Sequence, residues 1–375
     1  MSAINSTSAA YTYVRVNFMK KAVEKLKEKI IFLVVIIFAV ALILFRQQVG
    51  KGIQNGLSVV AEVLVPSLFP FMVLSSFSAE SGVFERGNKL FSALMKFLFR
   101  LPADCFSVFY FGFTGGYPVG ARVAVKLKEQ NRLSDSDFAH IFSFCVNAGP
   151  SFVITATGER ILGCAKAGYV IFASLCISSL ITGIVYGRLK PSLITSEIKK
   201  CVRKDFASAL TDSVSSATAG ILSVSAWVLL FSALMPVLEL FIGNRKILLL
   251  VSAVSEVSSG IRAAAELGGI PFVSACIAFG GLSVAFQLLS AIKKCGVKVK
   301  TYFFFRIVNA VLSYSVTKII LCFVDVSIDV FAYNAEIYSS NALASAALLV
   351  MSALFIFQIR DSLYLISFRK TNFSR

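Results

Sequence analysis

The sequence predicts an all-α polytopic membrane protein with about eight transmembrane helices, two further re-entrant or broken helices, and an internal repeat of inverted hand. Three observations carry this. Hydrophobic residues make up 57% of the 375, 35 of them Phe, and only 15% are charged. A soluble chain carries roughly 25% charge, so this one lacks the polar surface to face water all round. The apolar residues fall in runs of the length needed to span a bilayer, about 20 residues. The basic residues gather in short blocks between those runs, where loop charge sets orientation.

The spanning runs are residues 30–49, 57–79, 138–157, 167–187, 220–242, 272–292, 302–323 and 341–358. Two more runs are interrupted. Residues 105–126 are broken by Gly-Gly-Tyr-Pro at 115–118, and residues 246–267 are broken around Glu256 to Gly260. Residues 81–100 differ again: Leu90, Phe91, Leu94, Phe97 and Leu98 share one helical face, with Lys89, Lys96 and Arg100 near the other. That pattern suits a helix lying in the membrane interface. The lead before the first run holds Arg15, Lys20, Lys21, Lys25, Lys27 and Lys29. It is long, and no small-residue cleavage site follows the run, so the first run is read as an uncleaved span rather than a signal peptide.

Loop charge orients the chain. Basic blocks occur in the N-terminal lead, at 188–204, at 293–300 and in the tail (Arg360, Arg369, Lys370, Arg375), whereas residues 325–341 hold Asp325, Asp329 and Glu336 with no basic residue. Eight crossings with both termini in the cytoplasm satisfy these markers. They also place the interrupted runs as elements that enter and leave on one side. The divisions are a lead and first span (1–56), a first repeat (57–187), a basic loop (188–206), a second repeat (207–292), and a C-terminal hairpin and tail (293–375).

The net charge of +17 would suggest nucleic acid on a soluble protein, but no basic patch interleaved with aromatics occurs. Orientation explains the charge, and no nucleic-acid partner is expected. The eight Cys are scattered with no C-x-x-C pair, so neither a zinc site nor a disulfide framework is indicated. There is one His, His140, and no Gly-x-Ser-x-Gly, Walker or H-E-x-x-H pattern. The expectation is no enzyme, no metal and no cofactor. The partners expected are the lipid bilayer and a small polar solute, with a homo-oligomer left open.

The repeat lies in 117–127 and 257–267. Gly120, Arg122, Ala124 and Leu127 correspond to Gly260, Arg262, Ala264 and Leu267. Downstream come Gly149-Pro-Ser151 and Gly281-Leu-Ser283, and upstream each half has a run with internal proline, Pro66 and Pro70 against Pro236. With the loop charges, the first unit's interrupted run opens inside and the second's outside. Inverted repeats with paired broken helices are the pattern of secondary transporters, whose site lies where the breaks meet.

The candidate site follows from the breaks. Thr114, Gly115, Gly116, Tyr117 and Gly120 flank the first, where glycine relaxes the backbone and Pro118 suits the first turn of a new helix. Freed amides there can bind an anionic or carbonyl-rich group, and bare backbone must line a cavity or be buried in protein. Asn147, Gly149 and Ser151 form a similar stretch, with Asn147 either a ligand or a cap for the kink that Pro150 imposes. Ser255, Glu256, Ser258, Ser259 and Gly260 set one carboxylate amid apolar sequence. Intramembrane carboxylates are functional candidates, and the bland alternative is an ion pair with Arg262 or Arg122. Ser283 and Gln287 share a helix face at i, i+4, and Asn309, Ser313 and Thr317 form a second stripe more typical of helix packing. Arg306 and Lys318 are expected to snorkel from span ends, and His140 to be a helix-end polar residue.

Taken together, Val65-Pro-Ser-Leu-Phe-Pro-Phe71, residues 112–121, Asn147-Ala-Gly-Pro150, residues 255–260 and Phe279-Gly-Gly-Leu-Ser-Val284 resemble the sporulation integral membrane proteins of endospore-forming bacteria, which carry a nucleoside-recognition, or gate, domain. The resemblance covers about 57–287. It implies a gate-type core, a multi-pass protein of the cell or forespore membrane, and a role in spore formation with transport of a small polar solute, nucleoside-like or anionic. The alternative it leaves is a non-transporting membrane scaffold for spore envelope or cortex assembly.

Overall fold

A computed structural model describes residues 25–26, 28–33, 35–81, 89–189, 205–326 and 328. Among them the regular structure is entirely helical. The expected last span at 341–358 and the basic loop before residue 205 lie outside the described residues. The chain divides into two units, Met1–Lys51 and Gly52–Arg375. In the first, residues 35–44 are helical and carry exposed apolar side chains such as Val35, Ile43 and Leu44. The second contains the helices that build the candidate site.

Among the described residues, five helical runs are long and apolar enough to cross a membrane: Arg46–Ser81, Ala165–Leu189, Phe206–Phe241, Val257–Leu289 and Val299–Leu321. The first, α1 (Arg46–Ser81), widens into a π-helical turn at Val60–Leu64 just ahead of Pro66. A proline removes one backbone donor and crowds the preceding turn, and a π turn relieves both. The Ser67 hydroxyl donates to the Val63 carbonyl at 2.6 Å, satisfying part of what the distortion frees. A short helix, α2 (Lys89–Leu94), runs on through a π turn at Met95–Phe99. Met95 and Phe99 are fully buried, and Phe91, Leu94 and Phe97 face outward.

Two helices, α3 (Cys105–Thr114) and α4 (Tyr117–Glu129), then form a tight hairpin. They reverse at Gly115–Gly116 and lie so close that a methyl group on Gly120 would stand 2.6 Å from the Gly112 Cα. After a turn come α5 (Asp135–Phe144) and the π-helical α6 (Ser151–Ile161), separated by an unwound stretch. The expected single span over 138–157 is therefore two helices. Pro150 cannot supply an amide to continue α5, and α6 starts directly after it. Helix α7 (Ala165–Leu189) buries a face of small residues (Gly168, Ser174, Ser178, Thr182, Gly183, Gly187) and turns Ile177, Ile181 and Val185 outward, as close-packed membrane helices do.

The second half repeats this succession of shapes. Helix α8 (Phe206–Phe241) packs along α1 and carries Pro236 inside it. Helix α9 (Arg245–Ser255) breaks at Glu256, whose backbone is extended, and α10 (Val257–Phe279) folds back beside it. A methyl group on Gly260 would lie 2.9 Å from the Ala253 Cα. Gly268 and Gly269 interrupt α10 with non-helical angles, and the chain returns so that Cys276 sits 3.2 Å from the Ala253 carbonyl. Gly280 (φ +85°) then parts α10 from α11 (Gly281–Lys294), so the expected span over 272–292 is also broken. Helix α12 (Val299–Leu321) closes the unit against α7 and α10.

Outward-facing Phe304, Ile307, Val311 and Ile319 on α12 contrast with its buried Arg306, Asn309, Ser313 and Thr317. The polar stripe lies inward, as expected for packing: Asn309 accepts from the Thr182 hydroxyl at 3.0 Å, and Ser313 and Ser274 share a hydrogen bond of 2.5 Å. Arg306 corrects the sequence reading. It is 1% exposed and does not snorkel.

Candidate functional site

In each half the tip of a helix hairpin rests on the unwound point of the following helix. Gly116, at φ +92°, allows the first tip to turn, and a methyl group there would meet the Gly149 amide nitrogen at 3.1 Å. In the second half a methyl on Gly281 would meet the Ser255 carbonyl oxygen at 3.3 Å and the Glu256 Cα at 3.4 Å. The two halves then join. The Tyr117 phenol, beginning α4, donates to the Ile277 carbonyl near the end of α10.

A small cavity of about 50 Å³ lies where these pieces meet. Gly116, Tyr117 and Gly149 line it from the first half, Glu256, Ser258, Ser283 and Gln287 from the second. Apolar walls come from Leu64 and Leu68 of α1 and Val224 and Val228 of α8. A water needs roughly 10–15 Å³ measured this way, so the space holds a few waters and is a constriction rather than a seat for an organic molecule.

Two larger cavities adjoin it. The first, about 460 Å³, shares Pro118, Val224 and Gln287 with the constriction and is lined by Ser75, Ser76, Arg122, Ser216 and Ser223. The second, about 200 Å³, shares Phe152, Glu256 and Ser258 with it and is lined by Glu62, Arg160, Ser259 and Arg262. The elements correspond by position in the chain. The first cavity lies among α1, α4, α8 and α11, the second among α1, α6, α8 and α10. Arg122 lines the first and Arg262 the second.

Glu256 is 4% exposed, and its carboxylate accepts from the Ser259 amide at 2.8 Å, capping α10. Satisfying an orphan amide at a helix start is what a carboxylate N-cap does. Arg122 reaches across to α8 instead, donating to the Ser216 hydroxyl at 2.8 Å and to its carbonyl. Its guanidinium occupies the space that a side chain on Gly220 would need. Glu62 faces Arg160 at 4.0 Å.

Of the residues singled out in the sequence, Gly116, Tyr117, Gly149, Glu256, Ser258, Ser283 and Gln287 thus line one space, with Ser259 in the adjoining one. The others do not line these cavities. Thr114 bonds back to the Tyr110 carbonyl at 2.8 Å. Gly115 packs on Val119, Gly120 on Gly112, and Gly260 on Ala253. Ser151 opens α6, and Ser255 ends α9. Asn147 is a cap: its amide donates to the Phe144 carbonyl at 2.7 Å and its oxygen accepts from Ser179 at 2.9 Å. Both ends of its amide are thus engaged within the protein. His140 is buried, bonded to the Gly183 carbonyl at 2.8 Å and stacked on Tyr186. No cluster of three metal-ligating side chains occurs among the described residues.

Sequence reasoning missed Arg306. Its guanidinium donates to the carbonyls of Val146, Ala278 and Ser143. The signal was available: residues 306, 309, 313 and 317 keep helical spacing, so the polar stripe extends one turn further than its three uncharged members.

The helices and cavities define an all-helical membrane protein whose interior is built from paired broken helices. Its sequence is similar to that of the sporulation integral membrane protein YlbJ of Bacillus subtilis, 24% identical over 319 residues that cover 73% of this chain and 78% of that protein. No protein-family profile matches the chain, and no solved structure matches it.

Proposed function

We propose that the chain is a sporulation-associated membrane transporter or channel for a small polar solute, nucleoside-like or anionic, with its path through the central constriction. One observation carries this reading: backbone breaks from both halves of the chain converge on a single, mostly apolar space that holds the buried carboxylate of Glu256 and shares lining residues with two larger cavities. Broken backbone and a carboxylate are costly in lipid, so their meeting at one lined space favours a path over a packing accident. The association with spore formation comes from the similarity to YlbJ.

On this reading the two halves are inverted repeats. The shared succession of proline-bearing helix, hairpin, broken helix and closing helix supports the duplication, and the loop charges support the inversion. The hairpins are then re-entrant, both termini are cytoplasmic, and the constriction lies near mid-bilayer. The conformation is closed at the centre, so passage requires movement along the seam between α1, α8 and the hairpin tips.

The test is uptake by the purified protein in liposomes, with nucleosides, amino acids and aromatic dicarboxylates offered in turn. Accumulation above protein-free vesicles for one class supports transport. No flux for any class, with the protein folded and inserted, leaves the scaffold reading in its place.

A further inference from the structure

We propose that Arg306 is the positioning residue that ties the two unwound helices together behind the constriction. It deepens the reading above, because it concerns the frame of that site.

A helix that stops inside a protein leaves its last carbonyls without partners. Two helices stop here, α5 at Phe144 and α10 at Phe279. Several of their carbonyls find partners. Cys145 N–H closes on the Ile141 carbonyl, and Gly280 N–H on the Cys276 carbonyl. Asn147 takes Phe144, and Tyr117 takes Ile277. Three further carbonyls here are Ser143 and Val146 on one side and Ala278 on the other. The Arg306 guanidinium reaches all three, Ser143 and Ala278 at 3.3 Å each. Asn309, one turn on, donates a second bond to Ser143 at 3.1 Å. One side chain from α12 therefore bridges backbone from both halves, 160 residues away on one side and 28 on the other.

The charge is offset without a carboxylate. Each helix C-terminus carries roughly −0.5 of an elementary charge, so two converging ends supply about one negative charge to face one guanidinium. The Tyr302 ring, 5.8 Å from the guanidinium carbon, adds a further favourable contact. The planar, five-donor fork of arginine suits three carbonyls in different directions, which a lysine ammonium on a flexible stem cannot reproduce. The Arg306 side chain thereby sets the spacing between the break at 145–149, which bears on Gly116, and the break at Gly280, which bears on Glu256.

Native cysteines report on this. Cys145 lies in the first break, 0% exposed, and Cys276 two residues before Ala278, 7% exposed. Cys105 is equally buried but lies on α3, outside both breaks, and Cys322 is exposed. The experiment is maleimide labelling of full-length protein in detergent, read peptide by peptide by mass spectrometry, for wild type, Arg306→Gln and Arg306→Lys. In wild type only exposed thiols such as Cys322 should react quickly. In both variants Cys145 and Cys276 should react about tenfold faster or more, as expected when charged hydrogen bonds that hold a local structure are lost, with Cys105 still protected. If Arg306→Gln also exposes Cys105, the fold has failed and Arg306→Lys decides. Protection of Cys145 and Cys276 in Arg306→Lys, or in a folded Arg306→Gln, overturns the proposal. Labelling is independent of solute, so absence of flux in liposomes would sink the transport reading and leave this one standing.

Discussion

The hydroxyl of Tyr117, at the first hairpin tip, donates to the carbonyl of Ile277, 160 residues later in the second half. It fixes one tip against the other half's broken helix and fills a valence that the break at Gly280 leaves open. Removing only the oxygen isolates this link. Tyr117→Phe should lower stability by about 1 kcal/mol, within the range measured for hydrogen bonds between membrane helices, because the Ile277 carbonyl stays buried without a partner. A melting temperature in detergent equal to wild type would show that the bond contributes nothing.

Gly116 tests the other contact of that tip. Its φ of +92° disfavours any side chain, and a methyl there would press on the Gly149 amide at 3.1 Å. Gly116→Ala should cost about 1–3 kcal/mol. Gly243→Ala is the control, since nothing lies within 4 Å of a methyl at that position and its backbone is not left-handed. Equal melting temperatures for the two variants would contradict the packing of hairpin tip on broken helix.

Asn309 joins α12 to both α5 and α7, donating to the Ser143 carbonyl at 3.1 Å and accepting from Thr182 at 3.0 Å. Asn309→Ala breaks two interhelical bonds at once. The expected loss is about 1–2 kcal/mol, measured by thermal or denaturant unfolding in micelles. Asn309→Leu should behave the same way; if it were more stable than wild type, burial rather than hydrogen bonding would govern that stripe.

Orientation can be checked without any solute. Reporter fusions at Arg375 and within 325–341 should report opposite sides of the membrane, with Arg375 in the cytoplasm. The same side for both would overturn the expectation of eight crossings.

Glu256 carries the functional prediction. Glu256→Gln keeps an oxygen able to cap the Ser259 amide, so insertion and folding should persist. It removes the one carboxylate that lines the constriction. Uptake, and spore formation in a strain that depends on this chain, should both be lost. Normal sporulation of the variant would remove Glu256 from any mechanism.

Much of this architecture was legible in the sequence, and the limits have physical causes. The breaks at Gly115–Gly116, Pro150 and Glu256 were visible because glycine, proline and a lone carboxylate are costly inside an apolar helix. Hydropathy could not show that 138–157 and 272–292 are each two helices, because a break as short as the one at Gly280 leaves the surrounding run apolar. Nor could it separate Asn147 as a cap from Asn147 as a ligand. That depended on Ser179, 32 residues away, donating to its oxygen. Arg306 was misplaced because snorkelling was assigned from its nearness to a span end, when its spacing from Asn309 already placed it on the buried face.

If solute passes the constriction, Ser283 must border its path, being 1% exposed and lining that space from α11. The most direct measurement is liposome uptake of a transported solute by Ser283→Cys before and after a small methanethiosulfonate reagent, with wild type treated in parallel. Modification should stop uptake by the variant, a reductant should restore it, and wild type should be unaffected. Full uptake by a variant shown by mass spectrometry to be modified at position 283 would place the path elsewhere.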